Sequence, residues 1–122
     1  MKLLLLLGAV NGAMAVALGA FGAHALKGRL DVNALATWAT ASQYHFYHAL
    51  ALLLIAVLAK QFSAAALMPA GWVLAFGMLL FCGSLYLLAF TGQRWLGAVT
   101  PLGGVMLIVG WLWVAFVVQR HF

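Results

Sequence analysis

The third apolar run of this chain, Leu67–Phe90, reads LMPAGWVLAFGMLLFCGSLYLLAF and contains no charged side chain. A run of this length is sufficient for one transmembrane helix, which needs about 20 consecutive apolar residues. Two similar runs precede it and one follows it. Together the four runs predict one all-α domain, residues 1–122, with transmembrane helices over about 3–26, 32–59, 67–90 and 98–118.

The composition of the whole chain also indicates an integral membrane protein. Hydrophobic residues make up 68% of its 122 residues, and charged residues make up 6%. A soluble domain is nearer to about half apolar and about a quarter charged. Only helices and closed β-barrels satisfy their backbone hydrogen bonds in hydrocarbon. The runs lack the two-residue alternation of a barrel strand, so helices are predicted.

Short polar segments separate the runs, and connections of about five to eight residues make neighbouring helices antiparallel. The predicted arrangement is therefore an up-down-up-down four-helix bundle with both termini on one side. The second run is long for a single span, since about 28 helical residues measure roughly 42 Å against ~30 Å of hydrocarbon. Its polar first third is expected to project into the membrane interface, with Trp38 at the level of the headgroups. A kinked helix or a separate interfacial helix is the alternative for this segment.

Both prolines of the chain, Pro69 and Pro101, are predicted at the starts of helices. A proline costs little there because the first amides of a helix have no intrahelical acceptor. Thr100, immediately before Pro101, is the predicted N-cap of the fourth helix.

The charges of the chain indicate contact with lipid headgroups. Six Lys and Arg residues face a single acid, Asp31, which gives a formal net charge of +5. The cations stand singly at the ends of apolar runs, as headgroup anchors do. No stripe or cluster typical of a nucleic-acid footprint is present, so no nucleic-acid partner is expected. Lys and Arg divide equally between the two sides, which leaves the orientation open and permits dual topology.

Small residues recur along the predicted helices at spacings that allow close backbone approach. Packing inside the bundle is the favoured interpretation, and dimerisation between two chains is the alternative. The predicted helix-packing residues are Gly8, Gly12, Gly19, Gly22, Gly77, Ser84, Gly103 and Gly104.

Polar side chains within the apolar runs predict one buried cluster. Tyr44 and His48 are four residues apart and share a helical face, whereas His45 is expected to point elsewhere. If the first hairpin folds at about residue 30, His48 lies level with Asn11 near the membrane midplane. The candidate cluster is therefore Asn11, Tyr44 and His48, and His24 is a candidate interfacial residue.

Two interpretations of this cluster stay open at this point. Ionisable groups inside a membrane commonly mark proton or substrate sites, and an imidazole can relay protons. Alternatively, a neutral histidine exchanges hydrogen bonds with its neighbours and holds the first two helices together. The pair His45 and His48 lacks further ligands for a metal ion, so no metal or other cofactor is predicted. No nucleophile stands beside a base with an orienting acid, so no catalytic residue and no enzyme are predicted.

Several short segments carry a resemblance to a known family. They are GAFGAH at 19–24, Tyr44 with HAL at 48–50, Phe81 with GSLY at 83–86, PLGG at 101–104 and GW at 110–111. In combination they resemble the domain of unknown function 423 family of small four-helix bacterial inner-membrane proteins, which is grouped with eukaryotic transmembrane protein 256. The resemblance covers nearly the whole chain. It implies a multi-pass protein of the bacterial inner (plasma) membrane without an established activity, and it implies that His24, Tyr44 and His48 belong to the family pattern.

The function expected from these features is that of an accessory or structural membrane protein. Membrane lipids are its expected partners, and a second copy of the chain or a larger membrane protein is the candidate protein partner. The first alternative is a small transporter or proton-linked channel that uses a midplane site at Asn11, Tyr44 and His48. A membrane enzyme or redox protein that uses its histidines and tyrosines is the remaining alternative.

Overall fold

The computed structural model describes all 122 residues, and nearly all of them lie in four α-helices. These are α1 (Lys2–His24), α2 (Val32–Gln61), α3 (Ala64–Thr91) and α4 (Leu96–His121). Each helix is long and apolar enough to cross a membrane. The prediction of an all-α bundle with four spans is confirmed. The predicted helix ranges differ from these bounds by no more than about three residues, little more than the uncertainty of any helix end.

Local side-chain chemistry explains where α2 and α3 begin. Asp31 precedes α2 and accepts a hydrogen bond from the backbone amide of Ala34 at 2.7 Å. Ser63 precedes α3 and accepts one from the amide of Ala66 at 3.2 Å. Each side chain satisfies one of the amides that a helix start leaves without a partner. At its other end, α3 stops at Gly92, whose φ of 72° is the left-handed conformation in which helices commonly end.

The two prolines lie inside helices, and the prediction that they begin them is wrong. Pro69 lies in the second turn of α3 and Pro101 in the second turn of α4. Ser63 caps an earlier start for α3, and Trp95 precedes the start of α4. Thr100 is likewise not a cap, because it lies within α4 and its hydroxyl donates to the carbonyl of Leu96. A membrane helix tolerates the backbone hydrogen bond that a proline removes, because neighbouring groups compensate for it.

The helices pack mainly against their neighbours in the chain: α1 on α2, α2 on α3, and α3 on α4. Within the most apolar stretch of each helix, 50% of the residues of α2 are buried, against 17% in α1 and 22% in α4. The helix α2 is therefore the centre of the bundle. The outer faces of α1 and α4 carry exposed apolar side chains that face lipid.

Glycines allow α1 to approach α2 closely. A Cβ atom added to Gly8 would lie 2.8 Å from Leu53 Cγ and 3.0 Å from the carbonyl oxygen of Ala49. A Cβ on Gly22 would overlap the indole of Trp38. The α1 glycines thus serve contacts within one chain, where membrane helices associate by close van der Waals packing.

The contact between α3 and α4 is closer still. A Cβ on Gly103 would overlap the backbone of Phe81, and one on Gly77 would lie 3.0 Å from Leu107 Cδ2. Gly104 is less tightly placed, since its Cβ would lie 3.6 Å from the Phe81 ring. Near the end of this interface, the hydroxyl oxygens of Ser84 and Thr100 lie 2.6 Å apart and share a hydrogen bond.

Trp38, which the sequence predicts at the level of the headgroups, packs inside the bundle. It is buried between α1 and α3, and its indole N–H donates to the carbonyl of Leu18 at 2.7 Å. Its ring meets that of Tyr86 edge-on, with the centroids 4.8 Å apart. The indole is drawn inward because Gly22 leaves space for its ring and Leu18 offers an acceptor.

Candidate functional site

The register between α1 and α2 sets the depth of the polar residues. A Cβ on Gly12 would lie 4.0 Å from Ala49 Cβ, and one on Gly19 would lie 3.6 Å from Ser42 Cβ. Asn11 is therefore level with the segment of α2 that carries both central histidines, as folding the hairpin at about residue 30 predicts. It lies about 20 Å along α1 from the end of that helix and about 14 Å from its beginning, near the middle of the span.

A buried imidazole, His45, joins three helices by hydrogen bonds. Its Nε2 lies 2.8 Å from Asn11 Oδ1 on α1, and its Nδ1 lies 3.0 Å from the hydroxyl oxygen of Tyr86 on α3. The side-chain amide of Asn11 also donates to the carbonyl of Leu7 at 2.8 Å. This bond turns the amide oxygen of Asn11 towards the imidazole.

Tyr86, His45, Asn11 and the carbonyl of Leu7 form a hydrogen-bond chain, whose donors and acceptors can be assigned from the bonding capacity of each group. Since Asn11 Oδ1 can only accept, Nε2 of His45 carries the hydrogen, and Nδ1 accepts from the hydroxyl of Tyr86. All donors of the hydrogen-bond chain then point the same way, from Tyr86 through His45 and Asn11 to the carbonyl of Leu7. Both nitrogens of the neutral imidazole are satisfied, as a buried polar group requires.

The predicted cluster of Asn11, Tyr44 and His48 is not formed. His48 Nδ1 donates to the carbonyl of Tyr44 at 2.7 Å, and its Nε2 accepts from the indole N–H of Trp111 at 3.1 Å. His48 therefore binds α4, and His45 occupies the place beside Asn11 that the sequence suggested for His48. The two histidines are about 60° apart around the helix. A depth estimate does not decide which of them faces α1.

Tyr44 and His24 take no part in the buried hydrogen-bond chain. Tyr44 is exposed, and its ring packs 5.0 Å from that of Phe81 and stacks on His48. It contributes its backbone carbonyl, not its hydroxyl, to the histidine. His24 is the last residue of α1 and is exposed.

A cleft of about 340 Å³ opens between α1 and α3, and α2 closes its back. Eleven of its 14 lining residues are hydrophobic, and none is charged. The chain of Asn11, His45 and Tyr86 forms one part of the lining. Two residues at the rim, Met14 and Phe76, are exposed on the outer surface of the bundle. The cleft is therefore open to the hydrocarbon of the membrane.

Gly83 lines this cleft and has no packing neighbour. No atom lies within 4 Å of a Cβ added at this position. Two other glycines of α3 differ, since a Cβ on Gly71 would meet Leu4 and one on Gly77 would meet Leu107. A glycine within a helix costs about 0.5–1 kcal/mol relative to alanine. At Gly83 no contact inside the chain offsets this cost, and the missing side chain widens the cleft.

Sequence reasoning missed three residues of this site. The helical spacing places His45 on a different face from Tyr44 and His48, and Tyr86 and Gly83 stand out in the sequence only as part of the family pattern. The available signal was spacing along α3, because Gly83 and Tyr86 are three residues apart and share one face. No group of three or more His, Cys, Asp or Glu side chains lies close enough to share a metal ion.

Several bacterial membrane proteins are similar to this chain over nearly their whole length. The UPF0382 membrane protein YwdK of Bacillus subtilis is 45% identical over 122 residues, which are 99% of this chain and 99% of YwdK. UPF0382 membrane proteins of Staphylococcus epidermidis and Staphylococcus saprophyticus are 49% and 48% identical over 112 residues. Those matches cover 92% of this chain and 91% and 92% of the two relatives. No solved structure matches the chain.

The model of a protein family, described as "Protein of unknown function (DUF423)", matches residues 18–104. The matched range is well over half of the chain, and it contains His45, Gly83 and Tyr86. Asn11 precedes it. With four spans and these relatives, the chain is a multi-pass membrane protein that belongs to the DUF423 family.

Proposed function

We propose that this protein is an accessory protein of the bacterial inner membrane, which binds the apolar part of a lipid-soluble molecule in the cleft between α1 and α3. The observation that carries the proposal is the cleft itself, an apolar space at mid-membrane depth that opens towards hydrocarbon. The proposed role is binding and not catalysis.

The composition of the cleft supports an apolar occupant. Its volume of about 340 Å³ is at the lower end of the range for small-molecule pockets, about 300–1,000 Å³. Such pockets combine apolar walls with a few polar groups that orient the ligand. Here Asn11, His45 and Tyr86 are the polar groups, and the other named wall residues, such as Leu79 and Phe76, are apolar.

The hydrogen-bond network supports a role in holding the cleft open. His45 ties α2 to both walls of the cleft, through Asn11 on α1 and Tyr86 on α3. His48 ties the same helix to α4 through Trp111. Each central histidine thus fixes the position of a helix that surrounds the cleft or supports it from behind.

A proton-linked channel, the alternative function, has less support. The chain from Tyr86 passes through His45 and Asn11 and ends at the backbone carbonyl of Leu7. A backbone carbonyl accepts a hydrogen bond but does not relay a proton. The hydrogen-bond chain connects three helices and does not provide a path for protons along the membrane normal.

The inner membrane is the proposed location because the named relatives are bacterial membrane proteins and the chain has four apolar spans. Lipids are the proposed partners. The exposed apolar faces of α1 and α4 leave room for a second copy or a larger membrane protein beside the bundle.

Photolabelling tests the proposed binding. The purified protein in lipid nanodiscs would be illuminated with an alkyl diazirine, and the labelled peptides would be mapped by mass spectrometry. Labelling of the cleft residues is expected in the wild type and in Gly97→Leu, whose new side chain also enters open space but lies outside the cleft. Gly83→Leu fills the cleft and should abolish this labelling. Equal labelling of the cleft in both variants would contradict the proposal.

A further inference from the structure

The side-chain amide of Asn11 has one donor that the protein does not use. Its Nδ2 carries two hydrogens, and the only acceptor within hydrogen-bonding distance is the carbonyl of Leu7. Its oxygen is held by His45. Asn11 lines the cleft, and in hydrocarbon no water is present to satisfy the remaining N–H. An occupant that brings a hydrogen-bond acceptor to this depth is therefore favoured over a plain hydrocarbon chain.

Depth restricts which molecule can supply that acceptor. Asn11 lies near the middle of its span, whereas the ester carbonyls of a phospholipid stay at the interface, about 15 Å from the midplane of a ~30 Å hydrocarbon core. The acyl chain that would reach Asn11 has no acceptor. The acceptor must therefore belong to a molecule whose polar group can itself enter the hydrocarbon.

The lining restricts the occupant further. None of the 14 lining residues is charged, so an ionic headgroup would be buried without a partner, which is costly inside a membrane. Three aromatic side chains, Trp72, Phe76 and Tyr86, line the cleft. Gly83 leaves its backbone open to close approach. A flat, neutral ring fits this lining, since rings pack well on aromatic faces and on uncovered backbone.

We propose that the cleft binds the ring of a neutral isoprenoid quinone, one carbonyl oxygen of which accepts a hydrogen bond from the second N–H of Asn11. This inference rests on the proposed binding function and names its ligand class. The quinone is a bound ligand here, and no electron transfer by the protein is involved. The isoprenoid tail leaves through the opening between Met14 and Phe76 into the membrane.

Competition against the diazirine label tests the ligand class with two probes. One is a quinone with a short isoprenoid tail, and the other is a benzene ring with the same tail and no carbonyl. A neutral hydrogen bond has a net value of about 0.5–1.5 kcal/mol, so the quinone should displace the label at about a two- to twelvefold lower concentration in the wild type. In Asn11→Leu the two probes should compete equally.

The outcomes separate the two proposals. Equal competition by both probes in the wild type would overturn the quinone inference and leave the cleft as a site for apolar chains. No displacement by either probe would also overturn the quinone inference, whereas the binding function would be overturned only if Gly83→Leu kept the label in the cleft. Because Asn11→Leu leaves His45 without its acceptor, the triple variant Asn11→Leu/His45→Leu/Tyr86→Phe serves as a second test. This variant removes all three side chains of the hydrogen-bond network at once, so that no buried polar group is left without a partner. It should bind both probes equally. A retained preference for the quinone would contradict the inference.

Discussion

His45 Nε2 lies 2.8 Å from Asn11 Oδ1, and this contact joins α1 to the centre of the bundle at mid-membrane depth. The other ring nitrogen of His45 is bonded to Tyr86, so one side chain holds both walls of the cleft. A neutral histidine suits this role because it offers one donor and one acceptor on opposite sides of a rigid ring. His48 uses the same property differently, by donating to its own helix and accepting from Trp111.

Replacing His45 by leucine should destabilise the protein by about 1–3 kcal/mol, because Asn11 and Tyr86 each lose a partner in a site without water. Reversible unfolding in detergent micelles measures the change. His24→Leu is the matched control, since His24 is exposed at the end of α1, and it should change the stability by less than about 0.5 kcal/mol. A loss of equal size in both variants would show that the network contributes nothing.

The bond between His48 and Trp111 should appear as an energetic coupling between α2 and α4. Interhelical hydrogen bonds in membranes are worth about 0.6 kcal/mol on average and about 1.7 at most. Trp111→Phe keeps an aromatic ring and removes the donor, and His48→Leu removes the acceptor. A double-mutant cycle on the free energy of unfolding should therefore give a coupling of about 0.5–1.5 kcal/mol. Strictly additive effects would argue against the bond.

Two adjacent glycines of α4 should respond in opposite ways to alanine. Gly103→Ala brings a methyl group into the backbone of Phe81, and overpacking of this kind costs about 1–3 kcal/mol. Gly104→Ala meets only the Phe81 ring at an ordinary contact distance of 3.6 Å, and the better helix propensity should leave stability equal or slightly higher. Thermal unfolding of the two variants, prepared identically, measures the difference. The prediction fails if Gly104→Ala is the more damaging change.

Filling the cleft should separate stability from binding. Gly83→Ala places its methyl group in open space and should stabilise α3 by about 0.5–1 kcal/mol through helix propensity. Gly83→Leu should remain folded and lose the diazirine label. Unfolding curves recorded beside the labelling measure both effects on one sample. A strongly destabilised Gly83→Leu would mean that the cleft is not free space.

The four spans were predictable because each is a long apolar run, and the depth of Asn11 was predictable because the first loop is short. The face of α2 that contacts Asn11 could not be predicted, because His45 and His48 are only about 60° apart around the helix. The cleft also could not be predicted, because it depends on how far α1 and α3 stand apart across α2. The helix starts predicted from the prolines were wrong because helix starts depend on local capping, and Ser63 provides a cap before Pro69.

The order in which the helices pack has a consequence for how the protein forms in the cell. Every extensive helix contact joins neighbours in the chain, so each helix after the first finds one of its packing partners already in the bilayer when the ribosome delivers it. The bundle can therefore assemble step by step during synthesis, and no early helix waits for a distant one. Contacts that are local in sequence also form fast. The cleft is the exception, since its second wall, α3, arrives only after α2 has emerged.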